Sequence, residues 1–225
     1  MNLFDIMGPI MVGPSSSHTA GAVRMGSMAR ALLGQVPVKA NLFLHGSFAS
    51  TGAGHGTHQA LVAGILGLTP HDSRVPNSFA LAKERGLNVS FDVISLRDAH
   101  PNSALIQLEG AQGSKLEVAA ASLGGGRIRV FQVDGLPCSF SGDLPTLVVH
   151  NTDQPGCVSQ VTGVLARRGL NVATLQLNRG RRGESAVMVI ESDQVIFECA
   201  AEELRTLPGI LRVTRYTPEG MEDEA

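Results

Sequence analysis

Two α+β units in series are what this sequence predicts, and three observations predict them. The texture changes across Ser139–Leu144, a short polar run containing Gly142 that separates residues 1–142 from residues 145–218. After it, short apolar runs and helical spacings alternate in a βαββαβ order, the pattern of a four-stranded antiparallel sheet with helices on one face. Before it, helices lead into strands separated by turn residues, a mixed α+β arrangement.

The first unit opens at Gly13-Pro14, which punctuates the chain. The spacing then predicts a helix over Thr19–Leu33, with Ser17 or Thr19 as its cap and Met25, Met28 and Leu32 on one face. A strand is expected at Val38–Leu44, then a Gly/His-rich loop, and helices at Gln59–Leu66 and Ser78–Arg85. Strands follow at Asn88–Ile94, Ala104–Glu109, Leu116–Ala121 and Ile128–Val133, and the turns between them predict that these four form an antiparallel sheet. In the second unit the strands are read at Leu147–His150, Val172–Leu177, Ala186–Ile190 and Leu211–Tyr216. Its helices are read at Gly156–Arg168, with Val158, Val161 and Leu165 inward, and at Ala201–Leu207. The tail Glu219–Ala225 is acidic, and fraying is expected there.

Composition narrows the function. The chain has 225 residues, 43% of them apolar, which suffices for packed cores. Its net charge is -2, aromatics make up 4% with no Trp and a single Tyr, and the one basic cluster is Arg179-Gly180-Arg181-Arg182. A nucleic-acid surface needs basic charge and stacking rings, so that class is set aside. No run approaches the roughly 20 apolar residues of a membrane span, and no signal peptide is read, so a cytoplasmic protein is expected.

Chemistry-bearing residues concentrate at Ser15-Ser16-Ser17-His18-Thr19. Four hydroxyls and an imidazole fall on five consecutive residues where a helix begins, and one cap needs only one hydroxyl. Unpaired N–H groups and the helix dipole make such a start suitable for a carboxylate, while His18 titrates near neutral pH. The remaining hydroxyls therefore point to a ligand, with an over-polar capped turn as the alternative. Further polar segments are Ser47–Thr57, His100-Pro101-Asn102-Ser103 and Ser122–Gly126. His55 and His58 are three apart, close enough to face one another on a helix start, but no third ligand accompanies them as zinc requires. Cys138, Cys157 and Cys199 are too few and too scattered for a disulfide framework, a zinc site or a four-iron cluster. No metal site is expected on this chain.

Taken in order, these segments resemble the β subunit of the iron–sulfur-dependent L-serine ammonia-lyases, also called L-serine dehydratases. The resemblance covers nearly the whole chain. It is carried by Asp5–Pro9 leading to Gly13–Thr19, by Ala20–Gly26, Gly46–Thr51, Gly54–Thr57, His100–Asn102 and Ser122–Gly126. Residues 145–216 similarly look like an ACT domain, a ferredoxin-like fold, with Asp153-Gln154-Pro155-Gly156 matching its first turn. Ala53 and His58 stand where the family pattern has a basic and an acidic residue, so charged contacts at that loop are not carried over.

The resemblance implies a carbon–oxygen lyase that converts L-serine to pyruvate and ammonia. Elimination of water needs a base for the α-proton, a grip on the carboxylate and a Lewis acid for the hydroxyl. The resemblance supplies the Lewis acid as a [4Fe–4S] cluster held by a separate α subunit, so the chain is expected to be active only with that partner. It places Ser15, Ser16, Ser17 and Thr19 on the substrate carboxylate, His18 at proton transfer, and His100 and Asn102 in further substrate contact. The second unit is expected to oligomerise or regulate, with Asn151 and Asp153 as effector contacts, although Asp153 can equally cap the helix near Gly156. Two rival readings are a serine sensor without catalysis, akin to the regulatory domains of some 3-phosphoglycerate dehydrogenases, and a scaffold that only dimerises.

Overall fold

A computed structural model describes residues 11–13 and 15–221, so the Asp5–Pro9 part of the opening motif lies outside the described residues. The chain divides into two compact units meeting at Gly135/Leu136, earlier than Gly142. The expected α+β class holds in both.

In the first unit a π-helical turn, Ser16–Ala20, feeds directly into helix α1, Gly21–Leu33. Met25, Met28 and Leu32 are fully buried on one face, as their spacing predicts. Gly34, in the left-handed region at φ 69°, ends the helix by donating its N–H back to Ala31 and Arg30. Strand β1 is Pro37–Gly46, followed by a short helix α2, Ser47–Thr51, then α3, Thr57–Ile65, and α4, Ser78–Glu84. Strands β2 (Asn88–Val93), β3 (Asn102–Gly110), β4 (Lys115–Gly124) and β5 (Arg127–Val133) complete the unit.

Two glycines bring α1 and α3 into close contact. A Cβ on Gly26 would lie 2.3 Å from the Leu61 carbonyl oxygen, and one on Gly64 would lie 2.0 Å from that of Val23. The two backbones can cross at this distance only without side chains. Arg30 on α1 donates to the Ile65 carbonyl at 3.0 Å, placing a cation at the C-terminal end of α3.

Within this unit the strands lie in the order β2-β1-β3-β4-β5. The expected antiparallel sheet of the last four strands needs one correction. Strand β2 pairs in parallel with β1 and lies at the edge, while β1 is inserted between β2 and β3. The α3–α4 crossover carries the chain across the sheet, and turn residues alone do not reveal such a connection.

The second unit opens with strand β6, Leu136–Phe140, inside a stretch that the sequence pattern left unassigned. Then follow β7 (Thr146–Thr152), α5 (Cys157–Arg167), β8 (Val172–Arg179), β9 (Ser185–Ser192), α6 (Glu198–Arg205) and β10 (Ile210–Tyr216). The sheet order β10-β7-β9-β8 is antiparallel throughout, as the βαββαβ pattern requires. Leu147, Val149, Val161, Leu165, Met188 and Leu204 belong to one apolar core. Val158 is 37% exposed and stays outside it, and Val164 takes the expected inward place. Among the described residues no helix is long and apolar enough to cross a membrane.

Candidate active site

The opening motif forms the first wall of the site. Ser15 is extended (φ −136°, ψ 122°), and its hydroxyl accepts the His18 N–H at 3.3 Å. Ser15 is therefore the cap, in place of Ser17 or Thr19, because the π turn begins at Ser16, three residues before the expected start at Thr19. Ser17 Oγ lies 3.2 Å from His18 Nδ1, with Ser15 Oγ at 3.4 Å. The Thr19 hydroxyl is buried and has no hydrogen-bond partner among the described residues. An unpaired buried hydroxyl is costly unless a ligand or water satisfies it.

Helix α2 forms the second wall. Its first N–H, on Ser47, donates to the Pro101 carbonyl at 2.8 Å. Gly46, at φ 57°, admits this contact, since a Cβ there would lie 2.6 Å from the same oxygen. The turn His100-Pro101-Asn102 thus buttresses α2 from below. His100 Nδ1 accepts the Asn102 N–H at 3.1 Å, which braces the turn itself. Among the described residues neither His100 nor Asn102 is hydrogen-bonded to the His18 cluster.

The two walls meet at His18, which is 8% exposed. Its Nε2 lies 3.4 Å from Ser47 Oγ and 3.3 Å from Thr51 Oγ1. Its ring packs on Phe48 in a T-shaped arrangement with centroids 5.2 Å apart, and the His55 ring centroid lies 4.9 Å away, tilted by 42°. Burial holds the His18 imidazole below its ordinary range, and the neighbouring His55 adds to this; a backbone hydrogen bond at Ser47 opposes both. The ring is thereby kept neutral near physiological pH. His55 and His58 do not face one another: His58 packs on Phe91 with ring centroids 4.5 Å apart.

A third segment clamps the motif from the far side. The turn Gly124-Gly125-Gly126 holds three consecutive positive φ angles, 88°, 62° and 78°, which favour glycine at every step. Gly125 N–H donates to Ser16 Oγ at 3.2 Å, and Arg24 Nη1 donates to the Gly126 carbonyl at 2.9 Å. Gly21 lies flush on Ser122, where a Cβ would come within 2.0 Å of the hydroxyl oxygen. Beside these walls opens a cavity of about 190 Å³, lined by Val12, Gly13, Thr19, His55, Gln59 and Pro76 among others. Two wider depressions, of about 440 and 390 Å³, contain none of the expected site residues.

The structure thus brings Ser15, Ser16, Ser17, His18 and Thr19 together and adds Ser47, Thr51 and His55. Helix α2 was missed because its five residues are too short for a periodic signal. The resemblance had already marked the segment that contains it.

In the second unit Asn151 is buried, its Oδ1 without a partner among the described residues. Asp153 does not cap α5. Its carboxylate accepts the Gly183 N–H at 3.0 Å and an Arg179 Nη1 hydrogen at 2.8 Å, and these contacts hold it below the usual carboxylate range. The three cysteines are free. Cys157 Sγ donates to the Thr152 carbonyl, Cys199 Sγ accepts from Arg168, and burial pushes the Cys138 thiol up to about 12. Among the described residues no three His, Cys, Asp or Glu side chains converge as metal ligands.

Residues 2–85 match the family model of the serine dehydratase beta chain, and residues 147–212 match an ACT domain of the type found in the AHAS small subunit. A probable L-serine dehydratase beta chain from Bacillus subtilis is 39% identical, over 95% of this chain and 97% of that one. The L-serine dehydratase beta chain of Peptoniphilus asaccharolyticus is 38% identical, over 95% of this chain and 94% of its own length. This chain belongs to the L-serine dehydratase β-chain family. An L-serine dehydratase of Mycobacterium bovis is 30% identical over 96% of this chain but only 51% of its own length. In that relative the family sequence is one half of a longer polypeptide.

Proposed function

We propose that this chain is the β subunit of an L-serine ammonia-lyase, which converts L-serine to pyruvate and ammonia together with an α subunit bearing a [4Fe–4S] cluster. The observation that carries the reading is the buried neutral His18, ringed by four hydroxyls and paired with His55 beside a cavity of about 190 Å³. In the reaction the α-proton leaves as the C–O bond breaks and water departs. The enamine tautomerises, and hydrolysis of the resulting imine gives pyruvate and ammonia. A neutral imidazole is suited to moving that proton. The hydroxyls of Ser15, Ser16, Ser17 and Thr19 can donate to a carboxylate, and Thr19, unpaired at the cavity wall, most needs such an acceptor. His100 and Asn102 contribute through the turn that braces α2.

The α subunit is inferred because the cysteines here are too few and too scattered for a four-iron cluster and because the M. bovis relative extends far beyond the matching half. Free cysteines suit a reducing cytoplasm. The ACT unit is read as regulatory or oligomerising, with the buried, unpartnered Asn151 Oδ1 as the contact for an effector. The test is co-expression with the α chain and an anaerobic pyruvate assay. The chain alone is expected to be colourless and inactive, and a brown, active preparation of it alone would overturn the subunit reading.

A further inference from the structure

We infer that Thr51 is a positioning residue that fixes the two imidazoles of the site in opposite tautomers, His18 protonated on Nε2 and His55 on Nδ1. Thr51 Oγ1 lies 2.9 Å from the Ser47 carbonyl, which can only accept, so the Thr51 hydroxyl proton is committed there. Toward His18 Nε2, 3.3 Å away, the same oxygen can then offer only a lone pair. A hydrogen on Nε2 meets this lone pair and that of Ser47 Oγ, 3.4 Å away, and leaves Nδ1 to accept from the Ser15–Ser17 hydroxyls.

The main chain of Thr51 orients the second ring. His55 Nδ1 lies 3.0 Å from the Thr51 carbonyl, so Nδ1 carries the hydrogen there and the basic lone pair falls on Nε2. One residue thus uses its hydroxyl on one histidine and its carbonyl on the other, one helical turn before His55. The two rings, 4.9 Å apart, turn their lone pairs to different groups: His18 toward the serine loop, His55 away from Thr51. The bearing on catalysis rests on the lyase reading above, whereas the tautomers are properties of this chain alone.

The experiment is long-range proton–nitrogen NMR on the ¹⁵N-histidine-labelled full chain at about pH 8. His18 should show a protonated Nε2 and His55 a protonated Nδ1. Thr51→Val keeps the carbonyl and removes the hydroxyl, so the His18 nitrogen signals should move while those of His55 stay, and Thr51→Ser should restore them. In the α-complexed enzyme Thr51→Val should lower kcat about 3- to 10-fold, the range of one hydrogen bond, with Thr51→Ser again restoring it. The same tautomer on both rings, or His18 signals indifferent to Thr51→Val, would overturn the inference. An inactive wild-type complex with the expected tautomers would sink the lyase reading and leave this one standing.

Discussion

Gly125 donates its N–H to Ser16 Oγ at 3.2 Å, joining the tip of the β4–β5 turn to the π turn 109 residues earlier. The hydroxyl that accepts this bond keeps its own proton to donate. The serine loop is therefore held from behind by backbone, and the Ser16 proton is left to donate to a ligand.

The Gly21–Ser122 contact gives a direct stability test. Gly21→Ala should destabilise by about 1–3 kcal/mol, the cost of overpacking a tight contact. Ser122→Gly in the same chain should recover most of the loss, because the clashing atoms belong to that side chain. Thermal unfolding of the two single variants and the double variant decides this, and independent, additive effects would contradict it.

His18→Ala should lower kcat of the α-complexed enzyme by about 10²–10⁴-fold, the usual contribution of a positioned acid–base group. Ser16→Ala should act mainly on KM, since a carboxylate grip operates in ground and transition states alike. Steady-state kinetics with serine separate the two. A near-normal kcat in His18→Ala would reduce His18 to a packing residue.

The pH dependence follows from the lowered His18 value. Because the fold favours the neutral ring, the associated stability is fully present above the ordinary value of 6.5 and is lost as pH falls through the lower folded value. An NMR titration should place the His18 midpoint below 6.5, and His55→Gln should move it upward by removing a neighbouring positive charge. A midpoint at or above 6.5 in the wild-type chain would contradict the burial argument.

Thiol reactivity should separate the cysteines. At about pH 8 a thiol whose pKa is raised to about 12 is almost wholly protonated and reacts slowly. Exposed Cys199 should be alkylated first, with Cys138 and buried Cys157 protected until unfolding. Peptide mass mapping after brief iodoacetamide treatment reads the order.

Ending the chain at Gly135 removes the whole second unit. Turnover in the α-complexed enzyme is expected to persist in part, while oligomeric size or response to effectors changes. Light scattering beside a serine saturation curve would show it. Complete loss of turnover in a folded, assembled complex would instead assign the ACT unit a part in shaping the site.

Most elements were legible in the sequence because their signals are local. The face Met25–Met28–Leu32, the βαββαβ order and the hydroxyl-rich helix start all follow from spacing and propensity within a few residues. What only the tertiary structure decided lies across long separations. It set β2 parallel at the sheet edge, made Ser15 the cap, turned Asp153 to Arg179 and Gly183, and paired His18 with His55 instead of His55 with His58. The hydroxyls of Ser47 and Thr51 reach His18 from 29 and 33 residues away. Residue spacing cannot express such meetings, because they depend on how β1 runs beneath the helices and on the one carbonyl, Pro101, that starts α2 where it can face the serine loop.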